Sequence, residues 1–255
     1  MRKIVHKLLL IEREIWSSDT QVLSFEAPEL AGNWKPGQFL EISCGGLLFR
    51  PFAIMDEPAP GIIRIGVKMV GERSRYLCQL EAGTVLEAHA PLGNGWSIPP
   101  GRKVLALAGG SGIFPMITVL KQAAESMLIC GFRNPESAYD KKLPGLPQRI
   151  LYSSDTGGLD FYGNAYQALL SYINEHPIDG TWTLLACGPK ALLKSCQSYA
   201  LEKHIDCQLS LEEHMACGLG LCLGCAVDVR DEQGNLQRVR CCVEGPVFDA
   251  RRVIL

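Results

Sequence analysis

The sequence predicts a multi-domain chain of three units. These are an antiparallel β-barrel over residues 1–100, an α/β domain with a parallel sheet over 101–206, and a small cysteine-rich domain over 207–255. Three observations predict it. Short β-branched runs between Pro-Gly and Gly-Gly turns fill the first hundred residues. Apolar strands then alternate with helical stretches. Finally, five cysteines crowd into residues 217–242.

In the first unit, residues 22–25, 38–42, 61–70 and 84–88 read as strands, and 75–80 reads as a short helix. The stretch 1–16 is not expected to be a signal peptide. Its apolar run 8–11 is short, and Glu12 and Glu14 follow at once. Pro91-Leu-Gly-Asn-Gly-Trp96 and Pro99-Pro100-Gly101 end the unit. In the second, 103–108 is a continuous apolar run, as expected of a strand buried on both faces. Residues 127–132, 149–153 and 181–186 are further strands, while 113–125, 162–173 and 189–204 are helical. The alternation is expected to stop near Cys207. The remaining tail is too short to fold without a staple or metal.

At 255 residues the chain is long enough to need no staple elsewhere. A net charge of −2 leaves no basic footprint for nucleic acid, and no segment has the length of a membrane span. A cytoplasmic location is expected. Without a secretory signal, the 11 cysteines are not read as a disulfide framework. Cys44, Cys78, Cys130, Cys187, Cys196 and Cys207 lie mostly among apolar residues and read as small buried hydrophobes.

Cys217, Cys222 and Cys225 are different. Their C-x4-C-x2-C spacing, with a fourth cysteine farther along, is that of plant-type [2Fe–2S] proteins. Two sulfide-bridged irons need four thiolates, two on each iron. The backbone must wrap them closely, which Gly218, Gly220 and Gly224 permit. A structural zinc site is the plainer alternative, but such sites usually pair two C-x2-C units, and a disulfide cluster is a further one. His214 reads as solvated or as a neighbour of the site. Cys241 and Cys242 both qualify as the fourth ligand. In an extended segment their side chains point opposite ways, so only one should reach the irons.

Two further patterns carry nucleotide chemistry. Arg50 opens the segment Arg50-Pro51-Phe52-Ala53 and has the planar fork that pairs with a pyrophosphate, although an ordinary strand-edge arginine is the plainer reading. Gly66-Val67-Lys68 runs on to Arg73-Ser74 before the 75–80 helix, whose N-terminus can face phosphate oxygens. Gly109-Gly110-Ser111-Gly112 lies directly between a buried strand and a helix, with Pro115 where a third glycine would complete G-x-G-x-x-G. A tight turn without ligand is its alternative. Cys187-Gly188-Pro189 repeats the arrangement after a later strand, and ligands collect at such carboxyl ends.

Taken in order, these motifs and the closing Cys242-Val-Glu-Gly-Pro-Val-Phe248 resemble the electron-transfer subunits of B-type dihydroorotate dehydrogenase, within the ferredoxin–NADP reductase superfamily. The resemblance spans essentially the whole chain. It implies an NADH-dependent flavin and iron–sulfur oxidoreductase subunit, with FAD between the first two units and NADH arriving at the second, at Gly109, Gly110, Gly112, Cys187, Gly188 and Pro189. The flavin is expected at Arg50, Pro51, Phe52 and Ala53, and at Gly66, Val67, Lys68, Arg73 and Ser74. The ligand directly before the family's V-[DE]-G-P run matches Cys242. The implied partner is an FMN-containing dihydroorotate dehydrogenase catalytic subunit, in a heterotetramer of two plus two serving pyrimidine (UMP) biosynthesis. No side chain is expected to act as nucleophile or general base. Ala53 departs from the family's usual hydroxyl residue, Glu72-Arg73-Ser74 replaces a more usual x-Gly-Thr, and 154–158 only loosely matches its acidic-glycine turn. Two rivals remain at this stage: a subunit of a sulfide dehydrogenase-like or hydrogenase-like complex, and a non-catalytic structural-zinc module.

Overall fold

The computed structural model describes residues 5–139, 143, 146 and 149–255. Six strands close an antiparallel barrel in the order β1-β2-β5-β4-β3-β6. They are β1 (Val5–Ser17), β2 (Thr20–Glu26), β3 (Phe39–Ile42), β4 (Arg50–Ala59), β5 (Ile62–Lys68) and β6 (Val85–Leu92). The apolar run at 8–11 lies within β1. Its start alternates, with His6, Leu8 and Leu10 buried and Val5 and Lys7 exposed, the period of a strand with one face on a core. The first four residues of the 1–16 stretch lie outside the described residues. Helix α1 (Glu72–Gln79) begins three residues earlier than expected.

A seven-stranded sheet follows, in the order β10-β9-β8-β7-β11-β12-β15. Its strands are β7 (Lys103–Gly109), β8 (Ser126–Phe132), β9 (Ile150–Ser154), β10 (Phe161–Tyr162), β11 (Trp182–Cys187), β12 (Asp206–Ser210) and β15 (Val247–Asp249). All pairs are parallel except β12 with β15. The accompanying helices are α2 (Ile117–Gln122), α3 (Ala165–Glu175) and α4 (Lys190–Lys203). Where a helix over 113–125 was expected, a 3-10 turn (Gly110–Met116) precedes the short α2. Pro115 lies within that turn and lacks the N–H that a regular helix would use.

The alternation does not stop at Cys207, as the sequence reading had it. β12 runs through that residue and pairs with β11, and β15 returns from the tail to close the sheet edge. The tail's own sheet has the order β14-β13-β16, built from β13 (Ala226–Arg230), β14 (Leu236–Arg240) and β16 (Val253–Ile254). Between β14 and β15 lies one helical turn, α5 (Cys241–Glu244). Among the described residues no helix is long and apolar enough to cross a membrane.

Polar contacts join barrel and sheet. Trp96 Nε1 donates to Pro115 O at 2.7 Å, and Thr118 Oγ1 donates to Met55 O at 2.9 Å. Asp56 on β4 is almost fully buried and takes Arg64 at 2.6 Å and Lys121 of α2 at 3.1 Å. Burial by itself would raise its carboxyl pKa, but the Arg64 and Lys121 contacts outweigh that and hold it below the usual value. A depressed carboxyl stabilises the fold above its unfolded pKa, and this contribution fades as pH falls through the folded value. Asp56→Asn is therefore expected to lower stability by about 3 kcal/mol in urea unfolding at neutral pH. The gap from the parent chain should narrow as both are acidified.

Candidate functional site: a flavin cleft that runs into a cysteine loop

A cleft of about 510 Å³ opens where the barrel, the 3-10 turn and the segment after β12 meet. Pro51, Phe52 and Ala53 of β4 form one wall, and Gly66 and Lys68 of β5 form another. Between those two, Val67 points the opposite way and is fully buried in the barrel core. Gly66 has a steric reason. A Cβ there would fall on the Phe114 ring, so only glycine lets the 3-10 turn approach the barrel. Lys68 Nζ lies 3.3 Å from Asp19.

Arg50 and Arg73 flank the turn at Cys44-Gly45-Gly46. Arg73 Nη1 donates to Gly45 O at 2.8 Å, and a Cβ on Gly46 would lie 3.1 Å from the Arg73 Cζ. Arg50 is exposed, and among the described residues its guanidinium has no partner. Both cations act on Cys44. Burial raises that thiol to about 11, with Arg50 and Arg73 pulling the other way. Two guanidinium groups beside a glycine turn suit a diphosphate. The Ser74 hydroxyl is committed elsewhere. It accepts from the N–H groups of Val70 and Gly71 and donates to Gly71 O, all within 3.1 Å. It shapes the start of α1.

The glycine loop after β7 and the Cys-Gly-Pro loop after β11 are brought together, because their strands are neighbours with Ala108 opposite Cys187. A Cβ on Gly112 would fall on the Cys187 carbonyl, and one on Gly109 would lie 2.5 Å from Pro189 Cδ. Gly110 and Gly188 both have positive φ, +54° and +145°. These glycines let two loops pack at the carboxyl ends of adjacent parallel strands, where a dinucleotide docks in such sheets. Ser111 and Cys187 reach the cleft.

The segment 210–215 lines the cleft too, and the sequence reading missed it. The available signal was its position directly after a strand, which was hidden by ending the alternation at Cys207. Two residues beyond Met215 comes Cys217. Gly218 and Gly220 take positive φ, +53° and +76°. Gly224 does not; Leu223, at +57°, makes that turn. N–H groups face the sulfurs: Leu221 N to Cys217 Sγ at 3.3 Å, Gly224 N to Cys222 Sγ at 3.4 Å and Cys242 N to Cys225 Sγ at 3.4 Å. For Cys217, burial opposes ionisation. The N–H groups of Leu219, Leu221 and Cys222 and the Cys222 thiol outweigh it and lower the thiol to about 6.

Cys241 and Cys242 occupy the first turn of α5 rather than an extended segment, so the alternation argument for choosing between them does not apply. Cys241 is fully buried, with its thiol directed to Leu211 O at 3.8 Å. Cys242 is pushed up to about 12 by burial and by the Cys225 and Cys217 thiols, against the Gly220 N–H. Cys242 thus shares its surroundings with Cys225 and Cys217. Among the described residues no group of three or more His, Cys, Asp or Glu side chains is already placed to hold a metal ion. Four cysteines around a loop with inward N–H groups have the donor chemistry of a two-iron cluster, whose sulfurs accept such bonds. His214 is exposed at the cleft. A larger groove of about 900 Å³ beside the tail sheet contains none of the predicted flavin or nicotinamide residues.

Residues 212–254 match the family described as the iron-sulfur cluster binding domain of dihydroorotate dehydrogenase B. A Caldanaerobacter subterraneus subsp. tengcongensis protein named dihydroorotate dehydrogenase B (NAD(+)), electron transfer subunit, is 36% identical over 94% of this chain and 99% of its own length. A Desulforamulus reducens protein of the same name is 30% identical over 92% and 93%. The structure of an NADH-dependent reduced ferredoxin-NADP oxidoreductase superimposes with a TM-score of 0.82 at 24% identity, covering 97% of this chain and 89% of the other. A Neisseria gonorrhoeae ferredoxin NADP+ reductase with bound FAD and NADP superimposes with a TM-score of 0.65 at 14% identity, over 79% and 92%. At those identities the structures speak for the fold, whereas the relatives over nearly the full length fix the lineage: the chain belongs to the family of dihydroorotate dehydrogenase B electron transfer subunits.

Proposed function

We propose that this chain passes electrons between NADH and a catalytic subunit that oxidises dihydroorotate, in pyrimidine biosynthesis. The observation that carries it is continuity: the cleft wall at 210–215 leads within two residues into the cysteine loop. When bound, FAD exchanges a hydride with NADH and single electrons with a [2Fe–2S] cluster, which is cofactor chemistry. The chain's residues bind and orient. Arg50 and Arg73 hold the FAD pyrophosphate, and Pro51, Phe52, Ala53, Gly66 and Lys68 line the ring. The Ala53 side chain offers no hydrogen bond to that ring, so polar contact there falls to backbone groups. The loops at 109–112 and 187–189 receive the nicotinamide nucleotide.

Cys217, Cys222, Cys225 and Cys242 are the cluster ligands in this reading. The working units remain 1–100, 101–206 and 207–255, with β12 and β15 tying the last two together. The partner is an FMN-containing subunit in a heterotetramer of two plus two, in the cytoplasm. Leu221, Leu223 and Val243 beside the cysteines are 80%, 64% and 39% exposed. Leaving them in water is unfavourable, and a partner surface would cover them.

Three outcomes test this. Cys242→Ser should abolish the reduced-state EPR signal and lower iron content, while Cys241→Ser should keep both; loss in Cys241→Ser alone reverses the assignment. Arg50→Ala should purify flavin-poor with its iron retained, since a charge-assisted contact of about 1.5–3 kcal/mol is lost. Arg50→Lys should rescue it only in part, and full flavin occupancy of Arg50→Ala in dilute solution removes the role. The isolated chain should reduce artificial acceptors with NADH yet leave dihydroorotate untouched until the FMN subunit is added. Dihydroorotate oxidation by this chain alone, with one flavin and one cluster, overturns the relay.

A further inference from the structure

A buried carboxylate of the barrel reaches the cysteine loop. Glu41 lies on β3, where all four residues are buried, and is itself only 1% exposed. Its neighbours Leu40 and Ile42 point into the barrel core. Phe39 points the other way and packs in the same apolar cluster as Cys225, Cys241 and Cys242. By strand alternation Glu41 shares that outward face. There it meets Gly218, the residue directly after Cys217. A Cβ on Gly218 would fall on the Glu41 carboxylate. Gly218 thus serves two ends at once: it takes a left-handed φ of +53°, and it leaves the space the carboxylate fills. His89 of β6 lies directly opposite Glu41 in the ladder and stacks on Phe49 with ring centres 5.0 Å apart.

The loop is held from a second side. Arg240 Nη1 donates to Gly220 O at 3.1 Å, and Arg240 itself pairs with Glu244 at 2.5 Å. That cation is balanced by its own carboxylate. Glu41 comes from a different unit of the fold and touches the loop at Gly218.

We propose that Glu41 is a positioning residue for the cluster loop and that its charge lowers the reduction potential of the cluster; this rests on the ligand assignment above. Reduction adds one negative charge to the cluster. A fixed carboxylate next to the loop opposes that charge, and the interaction is strong where water is excluded. Charge and burial around a cluster are among the quantities that set its potential. In functional terms, Glu41 favours passing an electron onward over holding it.

The test is an EPR-monitored redox titration of the full chain with its flavin and cluster. Iron content and the EPR signal of the parent chain test the cluster itself, and differences between variants test Glu41. Glu41→Gln removes the charge with little change of shape. It should keep its iron, with reduction made easier by about tenfold, which is 59 mV for a one-electron couple. Glu41→Asp keeps the charge but draws it back by one methylene. Its potential should stay nearer the parent's than that of Glu41→Gln, while a chelator should strip its iron faster. An unchanged potential in an iron-replete Glu41→Gln chain overturns the proposal, as does an equal shift in both variants. Should Glu41→Gln not hold a cluster, Glu41→Asp decides alone: an unchanged potential with an unchanged rate of iron loss overturns it.

Discussion

The placement of the cysteine tail depends on one side chain at the foot of the barrel. Asn94 donates from Nδ2 to Glu244 O at 3.0 Å and to Val247 O at 2.7 Å, and its Oδ1 accepts from Val247 N at 3.0 Å. Its backbone N–H donates to Gly245 O at 2.6 Å. Four hydrogen bonds from one residue therefore satisfy the turn between α5 and β15. That turn is what places Cys242 beside Cys225. An amide can do this because it carries donors and an acceptor on one planar group. Glycine at 93 lets the end of the barrel approach that turn, since a Cβ there would lie 2.5 Å from Gly245 O.

With that turn anchored, β15 pairs with β12, and Gln208 on β12 exchanges hydrogen bonds with the Ser97 backbone at 2.6 and 3.0 Å. Barrel, sheet and tail thus share a seam of β12–β15 backbone bonds and of bonds from the Asn94 and Gln208 side chains. The same seam makes 210–215 do double duty, as cleft wall and as lead-in to Cys217.

Charge is distributed with similar economy. Arg50 and Arg73 flank the glycine turn at Cys44-Gly45-Gly46, next in sequence to the β4 wall, and Lys68 lines the cleft itself. At the other end the cysteine loop meets the Glu41 carboxylate and the paired Arg240 and Glu244. Beside the thiols, the N–H groups of Leu221, Gly224 and Cys242 face the sulfurs and stabilise thiolate without adding a full charge.

Local chemistry determined much of this protein in advance. The C-x4-C-x2-C spacing, the glycine loop between a buried strand and a helix, and the β-branched runs were legible because each follows from neighbours in the chain. Pairing across the fold was not. That Val67 turns into the barrel while Gly66 and Lys68 face the cleft depends on which side of β5 closes the barrel. That Cys241 is directed to Leu211 while Cys242 lies beside Cys225 depends on a helical turn whose C-terminal end is held from residue 94. Nor does spacing reveal that Glu41 touches Gly218, 177 positions later in the numbering. Short-range geometry is set by φ, ψ and side-chain volume, which a sequence displays. Contacts between distant segments are set by how three sheets pack, and only the tertiary structure decides that.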